Sequence, residues 1–191
     1  SNWGPDVPIA AQEAVELFQA RLEDYGATVL HVGPGALGAG IAQRLEAREV
    51  RRLAVPSDIP GSWTEDWAAA GGAIWRDEPA SPLSNTRLEE AQGVLTGCAL
   101  VVAETGTLVL DGGSTQGRRA LSLLPDYHLC VVFARQVVET VPQAVRFCEA
   151  GQEDAIRPLT FISGPSATSD IELIRVEGVH GPRTLDVIVV E

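Results

Sequence analysis

The stretch ATVLHVGPGALGAGIAQRLEAREVRRLAV, residues 27–55, decides the fold. Its first part, Ala27–Val32, is a short apolar run with the character of a buried strand. A glycine-rich turn leads into Ala36–Arg48, which has helical spacing, and Arg52–Val55 is again a strand-like run that ends at Pro56. Strands that alternate with helices favour a mostly parallel sheet with helices on both faces. The stretch therefore predicts an α/β fold.

The same alternation continues outward from this stretch to both ends of the chain. Ala99–Ala103 and Thr107–Leu110 are separated by only three residues, which predicts a local antiparallel pair. No linker, repeat or low-complexity tract interrupts the pattern, so we predict a single α/β domain over residues 1–191, with residues 1–10 as a frayed N-terminus. Further helices are predicted over Gln12–Tyr25, Trp63–Ala70, Ser84 or Thr86 to about Gln92, Arg118–Leu124 and Val141–Ala150, and further strands over Ala73–Trp75, Leu129–Ala134, Leu159–Ser163 and Thr184–Val190.

Composition and charge exclude several classes of partner. Of the 191 residues, 45% are hydrophobic and 21% are charged, which is ordinary for a globular protein. No apolar run reaches the ~18 residues that a membrane span needs, and Ser1–Pro8 lacks the basic start of a secretory signal. The formal net charge of −12 disfavours nucleic acid and anionic membranes as partners. We therefore predict a cytoplasmic protein without a membrane span.

Residue types that are missing or dispersed exclude much cofactor chemistry. The chain contains no lysine, so it has neither a Schiff-base lysine nor a P-loop lysine. Its three cysteines, Cys98, Cys130 and Cys148, form no CxxC pair and are interpreted as buried structural thiols. They are too few for a four-cysteine iron–sulfur cluster. Three dispersed histidines form no local metal motif, and we predict no cofactor or metal in this chain.

The segment Gly33–Gly38 fits the dinucleotide-binding pattern G-x-G-x-x-G between a predicted strand and a predicted helix. However, Pro34 removes one backbone amide donor. The nearest candidate to bind a ribose, Asp58, lies beyond Pro56 instead of at the strand tip. These departures favour a tight strand-to-helix turn, with nucleotide binding as the less favoured alternative.

The segment Ala103–Thr107 carries the strongest candidate site. A carboxylate and two hydroxyls follow an apolar run, where polar groups are costly unless they are hydrogen-bonded or face a cleft. We predict Glu104 as a catalytic residue and Thr105, Gly106 and Thr107 as ligand-binding residues, since glycine allows a ligand or the backbone to approach closely. The structural alternative is a turn in which Glu104 only accepts hydrogen bonds from backbone amides.

Two later loops supply further candidates. The loop of residues 163–172 offers several amide and hydroxyl donors for an anion, although Ser169 or Asp170 could equally cap a short helix. The loop of residues 178–183 contains a histidine that could transfer protons near neutral pH or form only structural hydrogen bonds. Arg118 and Arg119 could meet a carboxylate or phosphate, or simply begin an exposed helix. The candidates are Ser163, Gly164, Ser166, Asp170 and Arg183 for ligand binding and His180 for catalysis.

Four stretches, in this order over roughly residues 84–191, resemble the signature of the lactate utilization protein C family, whose domain is called LUD. The resemblance implies a fold similar to that of sugar-phosphate isomerases and coenzyme A transferases. It also implies a place in a three-component system that oxidises L-lactate to pyruvate, in which the companion proteins carry the iron–sulfur clusters. The stretches are Ala103–Leu108, Leu121–Pro125 with His128, Ser163–Ser166 with Asp170–Glu172, and Gly178–Arg183.

Two functional hypotheses of different classes follow. In the first, the chain is an accessory subunit of the lactate-oxidising system, assembled with iron–sulfur partner proteins and carrying a cleft for a small carboxylate or other anion at Glu104. In the second, it is a stand-alone enzyme of the coenzyme A transferase or sugar-phosphate isomerase type. Glu104 would then be the nucleophile or general base, with His180 assisting proton transfer. The first hypothesis is preferred.

Overall fold

The structure, a computed structural model, describes residues 9–150, 158–166 and 181–191. Its helices and strands are numbered in chain order. The α-helices in these ranges are α1 Ile9–Asp24, α2 Leu37–Ala47, α3 Gly61–Ala69, α4 Asn85–Glu90 and α5 Val141–Ala150. The strands are β1 Thr28–Val32, β2 Arg52–Pro56, β3 Ala73–Asp77, β4 Gly93–Thr96, β5 Leu100–Val102, β6 Thr107–Leu110, β7 Tyr127–Phe133, β8 Val137–Val138, β9 Thr160–Ile162 and β10 Thr184–Val190.

The main sheet contains six strands, all parallel, in the order β1-β10-β7-β4-β2-β3. Its apolar strands are covered by helices on both faces, as the α/β prediction required. Successive side chains of β10 point to opposite faces of the sheet and pack into two separate cores. Leu185, Val187 and Val189 pack with α1 on one face, whereas Ile188 and Val190 pack with α2 and α3 on the other.

A second, smaller sheet lies on the α1 face in the order β8-β5-β6-β9. The strands β5 and β6 form the predicted antiparallel pair, and β9 pairs antiparallel with β6. One face of this sheet contributes Val101 and Leu108 to the core beneath α1, and its other face is covered by α5. The small sheet therefore separates α5 from the main sheet.

One central strand was missed by the sequence reasoning. The strand β4 has only four residues and begins with a glycine, so its apolar pattern is too short to stand out. That glycine is required, because a Cβ atom at Gly93 would lie 2.8 Å from Cδ1 of Tyr127 on β7. In addition, the helix predicted over Arg118–Leu124 is only a 3-10 turn, Arg119–Ser122.

The prediction that the three cysteines are buried thiols is confirmed. Cys98, Cys130 and Cys148 are buried free thiols. A hydrogen bond with Cys130, together with burial, raises the pKa of the Cys98 thiol, which suits an unreactive core residue.

No helix in the described ranges is long and apolar enough to cross a membrane. The first eight residues lie outside those ranges, and the predicted extent of the domain stays a prediction.

Candidate functional site

Glu104 lies in the turn between β5 and β6. One carboxylate oxygen, Oε1, accepts a hydrogen bond of 2.8 Å from the backbone N–H of Val141, the first residue of α5. The Glu104 backbone N–H donates to the carbonyl of Glu139 at 3.0 Å. A negative charge at a helix N-terminus is stabilising. The structural alternative therefore accounts for one carboxylate oxygen, while the side chain as a whole remains exposed.

Three hydroxyl groups form a continuous chain beside this turn. Oγ1 of Thr107 lies 2.7 Å from Oγ1 of Thr105 and 2.7 Å from Oγ of Ser163. Strand register explains the contact: β6 pairs Leu108 with Ile162, and one residue further the same register places Thr107 opposite Ser163. The structure thus brings together two of the predicted stretches. We call Thr105, Thr107 and Ser163 the hydroxyl cluster.

The two glycines of these stretches are explained by the end of α1. Gly106 and Gly164 both have left-handed backbones, with φ of +58° and +88°. A Cβ atom at Gly106 would lie 2.7 Å from Cβ of Arg21, and one at Gly164 would lie 2.5 Å from Cβ of Tyr25. Glycine is needed at both positions because the protein's own chain approaches there.

The third predicted stretch adjoins the second. The backbone N–H of Ser166 donates to the carbonyl of Pro182 at 2.8 Å. Arg183 forms an ion pair with Asp126 at 3.8 Å between Nε and Oδ1, and both side chains are more than half exposed. Asp170 and His180 lie outside the described residues, so their predicted roles stay predictions.

The hydroxyl cluster lies toward the amino edge of the main sheet. Gly106 and Gly164 beside the cluster lie against Arg21 and Tyr25, at the end of the helix that leads into β1. Asp126 and Arg183 immediately precede β7 and β10. The rule that ligands favour the carboxyl ends of parallel strands therefore does not apply to this surface. Any ligand here depends on the hydroxyls and the neighbouring loops instead.

A separate cleft of about 640 Å³ opens at the carboxyl edge of the main sheet. Its walls include Pro56 at the end of β2, Asp58 just after it, Asp77 at the end of β3, and the loop that follows β6 from Asp111 to Arg119. We call it the carboxyl-edge cleft. Asp58, Arg118 and Arg119 were separate candidates in the sequence, because only the sheet order places these segments side by side.

An ion pair between the buried Asp77 and the exposed Arg118 forms one wall of the carboxyl-edge cleft. Arg118 donates to both carboxylate oxygens of Asp77, at 2.8 and 3.1 Å, and it also donates to the carbonyl of Leu83. Oδ1 of Asp77 accepts the Leu83 backbone N–H at 2.8 Å. Arg118 thus meets a carboxylate, as one of its two interpretations required, but the carboxylate belongs to the protein. An acidic residue at the end of a predicted strand was the available signal for Asp77.

The glycine-rich turn of residues 33–38 lies at the far end of the same edge, after β1. Its third glycine, Gly38, packs helix α2 against α3, since a Cβ atom there would lie 2.9 Å from the carbonyl oxygen of Ser62. Gly33 and Gly35 have open space around them. This arrangement suits a tight turn, and nucleotide binding stays untested. Within the described ranges, no three His, Cys, Asp or Glu side chains group as a metal site.

His128, part of the second signature stretch, is completely buried on β7. Its Nε2 atom pairs with Oγ1 of Thr96 at 2.8 Å, whereas Nδ1 has no hydrogen-bond partner among the described residues. Burial lowers the pKa of His128 from 6.5 to about 4. The neutral imidazole is therefore the form that the core accommodates.

The low pKa of His128 predicts a pH-dependent stability. Between pH 6.5 and about 4 the unfolded chain binds a proton at this residue and the folded chain does not, so stability should fall as the pH falls through this window. The expected loss is about 3 kcal/mol. Urea unfolding of the wild type and His128→Gln at several pH values measures it. The variant should show the shallower pH dependence, and equal slopes would contradict the assignment.

The architecture and edge sites described above define a doubly wound α/β protein with a small mixed sheet on one face. Within that class, the chain belongs to the LUD domain family, whose model matches residues 11–190. The match confirms the family resemblance predicted from the four motifs.

Individual relatives agree with this assignment. A protein named lactate utilization protein C from Deinococcus radiodurans is 50% identical over 96% of this chain and 82% of its own length. A protein of the same name from Bacillus licheniformis is 33% identical over 70% of this chain, but the match spans only 57% of that protein. The crystal structure of a DUF162 family protein from Deinococcus radiodurans superimposes with a TM-score of 0.77 at 42% identity, covering 96% of this chain and 100% of that one.

Proposed function

We propose that the chain is an accessory component of an L-lactate utilization system and supports the cytoplasmic oxidation of L-lactate to pyruvate. The observation that carries this proposal is the 50% identity, over 96% of the chain, to a lactate utilization protein C. The reaction removes two electrons and two protons from lactate. In the proposal the electrons pass to iron–sulfur clusters on partner proteins, since three cysteines are too few for a four-cysteine cluster.

An exposed apolar surface supports the partner role. Val141, Val145 and Phe147 on α5 and Phe161 on β9 are between 38% and 57% exposed. The strand β9 belongs to the small sheet, and α5 covers the face of that sheet opposite the main sheet. These side chains therefore lie on the part of the protein away from the main sheet. Exposed apolar side chains on adjoining elements are candidates for a protein-binding surface.

The hydroxyl cluster supports a binding site for a small carboxylate or another anion. In a chain of three hydroxyls, two O–H groups are used within the chain and one is left to donate outward. Ser163 forms the exposed end of that chain. In the proposal, Thr105, Thr107, Ser163, Ser166 and Arg183 surround the anion, while Gly106 and Gly164 let their turns lie close to the end of α1. Asp170 and His180 join them from the sequence alone.

The enzyme alternative is less well supported. A nucleophilic or general-base Glu104 needs a free carboxylate, and Oε1 is already hydrogen-bonded to the N-terminus of α5. That hydrogen bond gives Glu104 a structural role that requires no catalytic function. The two hypotheses nevertheless differ sharply in what a change at Glu104 does, and this difference supplies the test.

We expect Glu104→Gln to preserve growth on L-lactate. The glutamine carbonyl still accepts the Val141 N–H, so the loss of charge near the helix N-terminus should cost no more than about 1 kcal/mol. Phe147→Glu, by contrast, should abolish growth and co-purification of iron-containing partners, because it places a charge on the exposed apolar surface. A strain that lacks the gene is complemented with the wild type or with either variant, and growth rate and bound iron are measured.

Circular dichroism of each purified variant provides the folding control, since both side chains are exposed. If folded Glu104→Gln protein fails to support growth, the result favours the enzyme alternative over the accessory role. If Phe147→Glu retains its partners, the apolar surface is not the contact. Normal lactate growth of the deletion strain would overturn the proposed function altogether.

A further inference from the structure

The carboxyl-edge cleft lies at the position in the sheet where the chain connections change sides. The strand β2 is followed by α3, which packs on the α2 face with Leu53 and Val55. The strand β3 is followed by α4, whose Leu88 packs with Ala54 on the opposite face. Neighbouring strands that send their connections to opposite faces leave a crevice beyond their carboxyl ends, and ligands of open α/β sheets bind in such crevices.

The volume of the cleft exceeds what a three-carbon acid fills. Its roughly 640 Å³ lies within the range of about 300–1,000 Å³ typical of pockets for cofactor-sized or drug-sized ligands. Four prolines, Pro56, Pro79, Pro82 and Pro158, are among its lining residues. Proline rings hold a fixed backbone angle and present apolar faces, so these walls are rigid and suited to the carbon skeleton of a larger ligand.

Within the described residues, the polar groups of the cleft combine one unpaired cation with several hydrogen-bond acceptors. Among the described residues, the Arg119 side chain has no ion pair or hydrogen bond, whereas its neighbour Arg118 is held by Asp77. Asp58 and Asp111 each use one carboxylate oxygen to accept a backbone N–H, from Thr115 at 2.8 Å and Gly113 at 2.9 Å. Their other oxygens have no partner within the described part of the chain.

The loop that carries Arg119 is held in a strained conformation. Thr115 has a left-handed backbone with φ of +64°, unusual for a residue other than glycine. Its N–H is held by Asp58 and its carbonyl accepts the N–H of Gly97 at 2.8 Å. Strained backbone that is fixed by surrounding contacts is found preferentially at binding sites, where it positions groups before the ligand arrives.

We propose that the carboxyl-edge cleft binds a polyhydroxylated ligand with a single anionic group, distinct from the small anion proposed for the hydroxyl cluster. Arg119 pairs with the anionic group. The free oxygens of Asp58 and Asp111, with the hydroxyls of Ser57 and Thr160, accept and donate hydrogen bonds to the ligand hydroxyls. One anionic group is favoured over several, because two carboxylates and one guanidinium leave this part of the cleft with a net negative charge.

Calorimetric titration of the purified chain tests the proposal with gluconate, ribose 5-phosphate, ribose and L-lactate. We expect gluconate or ribose 5-phosphate to bind, whichever anionic group fits, and ribose and lactate to bind at least about tenfold more weakly. Arg119→Gln should weaken binding of the anionic sugar by about tenfold or more, as loss of a charge-assisted contact does. Arg51→Gln, an exposed arginine before the amino end of β2, is the matched control and should change nothing.

Each outcome decides a separate part of the proposal. Absence of binding by both anionic sugars at millimolar concentration overturns it. If ribose binds as tightly as the anionic sugars, the cleft does not recognise the anionic group. If lactate binds as tightly, the cleft does not recognise the additional hydroxyls. Equal weakening by Arg51→Gln points to overall charge instead of the cleft. None of these results bears on lactate growth, so failure here is distinguishable from failure of the proposed function.

Discussion

Asp186→Asn is expected to lower the free energy of unfolding by about 3 kcal/mol. Asp186 lies on β10 and is completely buried beneath α2. Its carboxylate accepts hydrogen bonds from Arg44 at 2.7 Å, from Arg48 at 2.7 Å and from the hydroxyl of Tyr127 at 3.0 Å. Removing the charge leaves two guanidinium groups, 20% and 36% exposed, without a counterion.

The protonation state of Asp186 supports this expectation. Burial by itself raises the pKa of the carboxyl, but hydrogen bonds from Arg48 and Arg44 and their positive charges outweigh it, so the pKa lies below its usual 3.8. Burial, together with the same carboxylate, raises the pKa of Tyr127 well above 10. Near neutral pH the group is therefore an ionised carboxylate paired with two arginines.

The matched control is Asp126→Asn, which removes an aspartate paired with Arg183 on the surface. That pair spans 3.8 Å between side chains that are 53% and 58% exposed, and exposed pairs contribute at most about 1 kcal/mol. Urea unfolding near pH 7 measures both variants on one scale. Similar losses in the two variants would contradict the structural role of the buried cluster.

Gly106→Ala is expected to cost about 3 kcal/mol. Placing a side chain in the left-handed region costs roughly 1–2 kcal/mol, and displacing a packed neighbour adds about 1–3 kcal/mol. The neighbour is α1, since the new Cβ atom would lie 2.7 Å from Cβ of Arg21 and 2.9 Å from the backbone nitrogen of Leu22. Backbone inside a helix cannot move away as a flexible side chain can.

Gly26→Ala separates the two contributions. Gly26 also has a left-handed backbone, with φ of +83°, but a Cβ atom there meets nothing within 4 Å. We expect it to cost only the conformational part, roughly 1–2 kcal/mol. Thermal or urea unfolding of both variants gives the comparison. If Gly106→Ala is no worse than Gly26→Ala, α1 does not pack against the turn as described.

Local patterns predicted most helices and strands because their causes are local. The bounds of α5 and β10 agree with the predicted Val141–Ala150 and Thr184–Val190, and Ser84 caps α4 by accepting the Arg87 N–H at 3.1 Å. Periodicity and capping residues act within a few positions along the chain. The family motifs are local in the same sense, and the family match confirms them.

Local patterns could not predict which strands distant in sequence pair with each other. The four residues of β4 pair with β2 and β7, which are distant from each other in sequence. The local sequence of Gly93–Thr96 does not indicate this pairing. The antiparallel pair β5–β6 was predicted, but its separation from the main sheet was not. The sheet to which a strand belongs depends on partners elsewhere in the chain, and here β8 and β9 are those partners.

The candidate site divides in the same way. The sequence alone determined that Glu104, Thr105, Thr107 and Ser163 are polar groups at the ends of apolar runs, and their motifs placed the chain in its family. Only the tertiary structure decided that Thr107 and Ser163 touch, because strand register sets that distance.

The tertiary structure also decided that α1, instead of a ligand, occupies the space beside Gly106 and Gly164. It alone assembled the carboxyl-edge cleft from the ends of β2 and β3 and the loop after β6. The physical reason is common to these cases. Polarity and conformational preference belong to a residue and its near neighbours, whereas a cavity or a contact belongs to segments that the fold brings together.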